Sequence, residues 1–280
     1  MNDNYKIVFI DIDGTLVNDE KQIPKENIET IKKLKTKGIE VVLASGRPYH
    51  SIEKYSNIVG AMPYIIGSNG GVVVNYKEDK LLYNANIDKP LALEILKFVK
   101  ANNLFTAITL SGNLVLENEM YSLTKENRDE LIVVNSLEEY LKNTNESIIK
   151  FSIMSDNKED LQIAREKLIN KFNITITNVD TFVIPNKYRK AGKNPYVMDV
   201  MKEYVNKGEA IKKLCKYLNL NTQEAIIFGD GLNDIEMFEL DAYKVAMKNA
   251  KDKIKEMADF VTISNNEAGV AYKLNKIFNI

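Results

Sequence analysis

Two aspartates that are two residues apart follow directly on a short apolar run near the N-terminus. Asp11 and Asp13 come after Ile7–Ile10, a run typical of a strand that is buried on both faces of a parallel sheet. Side chains two apart at a strand end point the same way. Two converging carboxylates repel unless they share a proton or a cation, and Mg²⁺ is a hard cation that takes oxygen ligands beside phosphates. The alternative is an ordinary Asp-Gly turn, since Gly14 follows.

A second acidic group occupies a similar position much later in the chain. Asp230 lies between two glycines after the apolar run 225–228, and Asn233 and Asp234 follow it. Asp230 therefore stands at the same kind of strand end as Asp11, and Asp234 can add a direct or supporting metal contact. Capping of the next helix is an alternative role for Asn233 and Asp234, but it does not explain Asp230.

Two further segments offer groups that bind anions. Ser45, Gly46 and Arg47 lie where the predicted strand 39–44 gives way to a helix. A hydroxyl, free backbone N–H groups and a helix N-terminus together form an anion site, although a plain serine cap is an equally good interpretation. Lys207 begins another predicted helix, where a cation is mildly unfavourable unless an anion binds beside it. Lys207 is thus a candidate phosphate ligand, although most single lysines are surface residues.

The elements that position these groups form two different patterns. In 1–84 and 191–280, short apolar strands alternate with amphipathic helices, which predicts an α/β doubly wound, mostly parallel sheet. In 85–190, a helix followed by two strand candidates occurs twice, the last candidate at 182–184. We therefore predict an α/β catalytic core, built from the first and last segments, with an inserted α+β cap domain at 85–190.

Composition excludes several classes of protein. The 280 residues are 45% hydrophobic with a formal net charge of −1, so no nucleic-acid partner is indicated. No run approaches the roughly 18 apolar residues of a membrane helix, and the N-terminus lacks a signal-peptide core. With one cysteine no internal disulfide is possible, and we expect a cytoplasmic protein. The single histidine excludes multi-histidine metal sites and disfavours a Ser-His-Asp triad. The oligomeric state stays open.

The four segments, in this order, resemble the four motifs of the haloacid dehalogenase (HAD) superfamily of phosphohydrolases. The matching segments are 11–16, 44–48, 206–208 and 229–234, and the position of the insert resembles that of the Cof-type subgroup with a large αβ cap. The resemblance implies a Mg²⁺-dependent phosphatase. Its substrate would be a small phosphorylated metabolite, such as a sugar phosphate or a phosphorylated cofactor.

The resemblance also implies a role for each matching residue. Asp11 would attack phosphorus and form an aspartyl-phosphate, and Asp13 would act as the acid/base. The metal ligands would be Asp11, the backbone carbonyl of Asp13, and Asp230, with support from Asp234. The inserted cap would cover the site. The residues that would hold the phosphoryl group are Ser45, Gly46, Arg47, Lys207 and Asn233.

Some features depart from this pattern or leave alternatives open. Lys248 stands where the family often has a glycine, and the basic run 187–193 is either a solvated loop, the favoured interpretation, or part of the site. A phosphomutase would share the aspartyl-phosphate chemistry. A non-enzymatic receiver-like module is a further alternative, but Asp13 argues against it, because a built-in acid/base would hydrolyse the phosphoaspartate quickly.

Overall fold

The computed structural model describes residues 4–111, 113–117, 131–181 and 194–280. The chain divides into two compact units. The first unit comprises Met1–Tyr83 and Asn206–Ile280, and the second comprises Asn84–Val205. The second unit is thus inserted between two segments of the first.

The first unit is organised around an eight-stranded sheet. Its spatial order is β15-β14-β13-β1-β2-β3-β4-β5. All pairs from β15 to β3 are parallel, and β4 is antiparallel to β3. The strands are β1 (Ile7–Ile10), β2 (Glu40–Ala44), β3 (Tyr64–Gly67), β4 (Val72–Asn75), β5 (Lys80–Asn84), β13 (Ala225–Gly229), β14 (Tyr243–Ala246) and β15 (Phe260–Val261).

Helices cover this sheet because its central strands are apolar throughout. Every residue of β1 is fully buried, which requires cover on both faces. Two groups of helices provide it: α1 contacts α2 and α9, and α7 contacts α6 and α8. The helices are α1 (Lys25–Thr36), α2 (Tyr49–Val59), α6 (Lys207–Tyr217), α7 (Ile235–Phe238), α8 (Asp252–Met257) and α9 (Gly269–Phe278).

The second unit is an α+β module. Its sheet has the order β10-β12-β9-β6-β7-β8, with β11 also paired to β12, and its pairs are antiparallel except β7–β8. Side chains of three helices pack with Ile108, Phe151 and Val200 of the sheet in one apolar core. The elements are β6 (Phe105–Leu110), β7 (Leu114–Glu117), β8 (Leu131–Val134), β9 (Ile148–Ser155), β10 (Ile174–Ile176), β11 (Asp180–Thr181), β12 (Tyr196–Lys202), α3 (Lys89–Ala101), α4 (Leu137–Asn143) and α5 (Lys158–Lys171).

The predicted fold class is confirmed: a mostly parallel α/β sheet carries an inserted α+β module. The second boundary of that module lies at 205/206, later in the chain than the predicted 190/191. The physical reason is β12, which pairs along its length with β9 of the smaller sheet. The strand candidate at 182–184 and the basic run 187–193 lie outside the described residues. In the described part of the chain, no helix has the length and apolar character to cross a membrane.

Candidate active site

Three chain segments reach the same edge of the large sheet. Strand β1 pairs in parallel with β13 on one side and with β2 on the other, so that Ile10 lies opposite both Phe228 and Leu43. The residues that follow these strands therefore emerge together, as ligand-binding residues do at the carboxyl ends of parallel strands. Asp11, Asp230 and Ser45 are brought to one edge in this way.

A group of four charged residues, of which all but Asp230 are buried, comprises Asp11, Lys207, Asp230 and Asp234 and is called the inner cluster. Lys207 Nζ donates to Asp11 Oδ1 at 2.5 Å and to Asp234 Oδ1 at 2.6 Å. The Lys207 and Asp234 side chains are completely buried. One oxygen from each of Asp11, Asp230 and Asp234 lies within 4.8 Å of the others. Three carboxylates thus face a single cation.

Local capping explains how Lys207 reaches this position. The Asn206 side chain caps α6 by accepting a hydrogen bond from Glu209 N at 2.8 Å, which fixes Lys207 in the first turn. A cation at a helix N-terminus is unfavourable by itself. The carboxylates of Asp11 and Asp234 offset that cost, so here the compensating anions come from the protein.

The acidic loop after β13 is held by its own side chains and by the turn after β1. Asp234 Oδ2 accepts hydrogen bonds from the backbone N–H groups of Asp230 and Gly231, each at 3.0 Å. Thr15 Oγ1 donates to Asp230 Oδ1 at 2.9 Å. Gly14 has φ of +81°, and a Cβ there would overlap the Asp230 carboxylate. Only glycine therefore allows the two acidic loops to approach this closely.

The inner cluster is electrostatically short of positive charge. Burial raises the pKa of Asp11 well above its ordinary value, against the effect of Lys207, and the charges of Asp234 and Asp230 raise this pKa further. Burial, with a contribution from Asp234, raises the pKa of Asp230 to about 7. Burial lowers the pKa of Lys207, but the charges and hydrogen bonds of Asp11 and Asp234 stabilise the protonated amine and raise this pKa overall. Closely spaced carboxylate oxygens with too little positive charge fit a hard divalent cation.

Asp13 lies in a different group, the outer cluster, with Arg47 and Lys21. Arg47 donates from Nε to Asp13 Oδ2 and from Nη2 to Asp13 Oδ1, both at 2.7 Å. Lys21 Nζ donates to Asp13 Oδ1 at 2.8 Å. The Asp13 side chain is 40% exposed. Burial opposes the effect, but the hydrogen bonds and charges of Arg47 and Lys21 hold the pKa of Asp13 well below its ordinary value.

Three of the predicted phosphoryl-binding residues meet around Asn69. Asn233 Nδ2 donates to Asn69 Oδ1 at 3.1 Å, and Asn69 N donates to Ser45 O at 3.0 Å. A Cβ on Gly46 would lie 2.9 Å from Asn69 Oδ1, so glycine permits this approach. Arg47 N donates to Ser45 Oγ at 3.3 Å. Ser45, Gly46 and Asn233 are thus neighbours, whereas Arg47 turns its guanidinium to Asp13.

Several residues at the site were not singled out as contacts from the sequence. Lys21 contacts Asp13. Tyr55 contacts Arg47, because Arg47 Nη1 donates to Tyr55 Oη at 3.1 Å. Asn69 adopts left-handed backbone angles within a buried turn. Asn249, by contrast, was expected from the sequence as a substrate-side or capping residue; it donates to Gly14 O at 2.8 Å and accepts from Asn265 N at 3.0 Å. The one available signal was the Asn-Gly pair at 69–70, which favours left-handed turns.

Comparison with known proteins identifies the family to which this fold and this site belong. A model of the haloacid dehalogenase-like hydrolase family matches residues 8–274. The chain therefore belongs to the haloacid dehalogenase-like hydrolases, and the predicted HAD resemblance is confirmed. Family membership also supports an enzyme over a receiver-like module.

Individual relatives extend over nearly the whole chain. Phosphatase YwpJ of Bacillus subtilis is 29% identical, covering 97% of this chain and 99% of YwpJ. The 5-amino-6-(5-phospho-D-ribitylamino)uracil phosphatase YitU of the same organism is 25% identical, with 98% of each chain covered. A solved structure of a haloacid dehalogenase-like hydrolase from B. subtilis superposes with a TM-score of 0.82 at 25% identity, covering 98% of this chain and 100% of that one. At the level of class, the enzyme is a HAD-type phosphatase.

Proposed function

We propose that this enzyme is a Mg²⁺-dependent phosphatase that hydrolyses small phosphorylated metabolites through an aspartyl-phosphate on Asp11. The observation that carries the proposal is the inner cluster: three carboxylates and one buried lysine meet at the carboxyl edge of the sheet. The outer cluster places a second, differently charged aspartate two residues from Asp11. In the metal-free fold the two pKa shifts run opposite to what these roles need, because burial favours a protonated Asp11 while Arg47 and Lys21 favour an ionised Asp13. The division of roles therefore rests on the motif positions of the two aspartates, and a bound cation would favour the ionised form of Asp11.

In the first half-reaction, an Asp11 oxygen attacks phosphorus and the bond from phosphorus to the leaving oxygen breaks. Asp13 donates a proton to that oxygen, so the product leaves as an alcohol. Ser45, the Gly46 backbone, Lys207 and Asn233 hold the oxygens of the transferring group, while the guanidinium of Arg47 stays paired with Asp13. Donors aimed at these oxygens are the main catalytic resource in phosphoryl transfer.

In the second half-reaction, water attacks the phosphorus of the aspartyl-phosphate. Asp13 accepts a proton from the water, and the bond from phosphorus to the Asp11 oxygen breaks. Inorganic phosphate leaves and the Asp11 carboxylate is regenerated. Asp13 thus returns to its protonated form, ready for another leaving group.

The side chains of Asp11 and Asp230 and the backbone carbonyl of Asp13 would hold Mg²⁺, with Asp234 in support. Both Asp234 oxygens accept hydrogen bonds from protein groups, which fits a supporting role. When bound, the cation supplies positive charge that offsets repulsion between the carboxylates and the substrate.

The site and one relative support a small phosphorylated metabolite as the substrate class. A carboxylate nucleophile and donors for the phosphoryl oxygens are sufficient to bind and cleave a phosphate ester on a small molecule. YitU is named for a small phosphorylated pyrimidine. We infer that this enzyme also acts on a small phosphorylated metabolite.

The test is hydrolysis of an aryl phosphate with and without Mg²⁺, by the wild type and by Asp11→Asn. We expect Mg²⁺-dependent turnover that EDTA abolishes, and a loss of at least about 10³-fold in the variant, because the nucleophile is gone. Asp252→Asn, at a side chain that is 96% exposed, is the matched control and should behave as the wild type. Equal activity of wild type and Asp11→Asn would refute the proposal.

A further inference from the structure

The loop between β1 and α1 holds the backbone of Lys21 in a fixed conformation. Asn18 Oδ1 accepts hydrogen bonds from Glu20 N at 3.1 Å and Gln22 N at 2.9 Å. Asn18 N donates to Gln22 O at 2.9 Å. Lys21 itself has φ of +62°, a left-handed conformation that costs a non-glycine residue about 1 kcal/mol or more. The surrounding hydrogen bonds hold Lys21 in this conformation.

A second set of contacts fixes this loop to the C-terminal part of the first unit. Asn265 Nδ2 donates to Asp19 Oδ1 at 3.2 Å, and Asn266 Nδ2 donates to Asp19 Oδ2 at 3.0 Å. Asp19 N donates in return to Asn266 Oδ1 at 3.0 Å. Both Asp19 oxygens are therefore used to anchor the loop, and the position of Lys21 follows from that anchor.

With Lys21 in this position, Asp13 Oδ1 accepts two hydrogen bonds and Oδ2 accepts one. Arg47 holds Oδ2 and Oδ1, and Lys21 shares Oδ1. An acid/base must bring one oxygen to the leaving oxygen of the substrate or to the attacking water. Oδ1 has no acceptor position left while both cations donate to it, so its use in proton transfer requires one of them to leave.

Lys21 is the cation that is free to move. Arg47 is held by a bidentate pair and also by Tyr55, which accepts its Nη1–H and places its ring 5.1 Å from the guanidinium carbon. Lys21 makes one contact with Asp13 through a flexible side chain that is 42% exposed, against 24% for Arg47. A cation that leaves a carboxylate needs another anion, and an incoming phosphate ester supplies one.

We propose that Lys21 is a substrate-binding residue that moves from Asp13 Oδ1 to an anionic oxygen of the substrate. This inference rests on the proposed function. The oxygen belongs either to the phosphoryl group or to a carboxylate on the leaving group, which lies beside Asp13 when that residue protonates it. Either contact selects anionic ligands and frees Asp13 for proton transfer.

The experiment compares glycerol 1-phosphate with 3-phosphoglycerate, which differ by a carboxylate, in steady-state kinetics with Mg²⁺. Lys21→Met removes the charge at similar size, Lys21→Arg keeps it, and Lys25→Met, at an 84% exposed lysine, is the matched control. We expect Lys21→Met to lower kcat/KM by about 10- to 100-fold, mainly through KM. Lys21→Arg should recover most of the loss, and Lys25→Met should match the wild type.

The pattern of the loss identifies the oxygen. An equal loss on both substrates indicates the phosphoryl group, and a larger loss on 3-phosphoglycerate indicates the carboxylate. If Lys21→Met changes kcat/KM by less than twofold, or lowers kcat with KM unchanged, Lys21 does not bind substrate and the inference is overturned. If the wild type hydrolyses no phosphate monoester, the proposed function and this inference are overturned together. If the wild type is active and the Lys21 variants behave as it does, only the inference about Lys21 is overturned.

Discussion

The inner and outer clusters place two aspartates of one short segment in opposite electrostatic environments. Asp11 is buried with Asp230 and Asp234 around one lysine, and its pKa is raised. Asp13 is 40% exposed and held by two cations, and its pKa is lowered. The residue type is the same and the separation is two positions. The difference shows that neighbours from distant parts of the chain, and burial, set the charge state of each carboxyl.

The strongest challenge to the inner cluster is removal of its only cation. Lys207→Met leaves Asp11 and Asp234 buried without their shared donor, and we expect a loss of about 3–5 kcal/mol in the free energy of unfolding. Urea denaturation in EDTA measures it. Lys212→Met, on the same helix with a 54% exposed side chain, should change stability by less than about 0.5 kcal/mol. A loss below about 1 kcal/mol for Lys207→Met would show that the cluster does not depend on this lysine.

The next prediction distinguishes the clusters by their response to metal. Mg²⁺ at 100 times its Kd should stabilise the wild type by about 2.7 kcal/mol. Asp230→Asn should remove most of this effect, while the metal-free variant should be at least as stable as the wild type, because one repelling charge is gone. Thermal unfolding with Mg²⁺ and with EDTA measures both. An unchanged Mg²⁺ effect in Asp230→Asn would exclude Asp230 as a ligand.

The two clusters should also give opposite pH dependences of stability in metal-free buffer. The pKa of Asp230 is about 7 in the folded protein and about 3.9 in an unfolded chain. Its stabilising contribution is therefore complete below pH about 4 and is lost as the pH rises towards 7. Because the two pKa values differ by about 3, and one pKa unit corresponds to about 1.4 kcal/mol, Asp230→Asn should gain up to about 4 kcal/mol on the wild type over this range. The measurement is urea unfolding at several pH values.

The variant Asp13→Asn is the matched comparison for urea unfolding at several pH values. The pKa of Asp13 is lowered in the folded protein, so its contribution is present above pH about 4 and is lost as the pH falls further. The stability difference between the wild type and Asp13→Asn should therefore shrink in acid. If both variants show the same sign of pH dependence, the contrast between the clusters is wrong.

The smallest effect is expected from the hydroxyl that supports the outer cluster. Tyr55→Phe removes the acceptor for Arg47 Nη1 but keeps the ring against the guanidinium. We expect a loss of about 0.5–1.5 kcal/mol in unfolding free energy and a change in kcat/KM of less than about threefold. Tyr272→Phe, an exposed tyrosine on α9, is the control. A tenfold loss of activity in Tyr55→Phe would mean that Arg47 is held more weakly than the geometry indicates.

Much of the fold could be predicted because its signals are local. The apolar runs before Asp11 and Asp230 predict buried parallel strands, and they place both carboxyl groups at one sheet edge, where the structure has them. Strand β12 was missed, and with it the later domain boundary. Its residues Tyr196–Lys202 pair with β9, which lies far earlier in the chain. Strand pairing across such a separation leaves no local pattern in the sequence.

By itself, the sequence determined the chemical groups and the strand ends that carry them. Ser45, Lys207 and the aspartates are placed by local periodicity and by helix starts, which depend on neighbouring residues alone. The tertiary structure decided which charges meet: Lys207 contacts Asp11 from 196 positions away, and Arg47 contacts Asp13 from 34 positions away. Burial and ion pairing arise only when the sheet assembles. They are also what gives Asp11 and Asp13 their opposite pKa shifts, which the sequence alone does not predict.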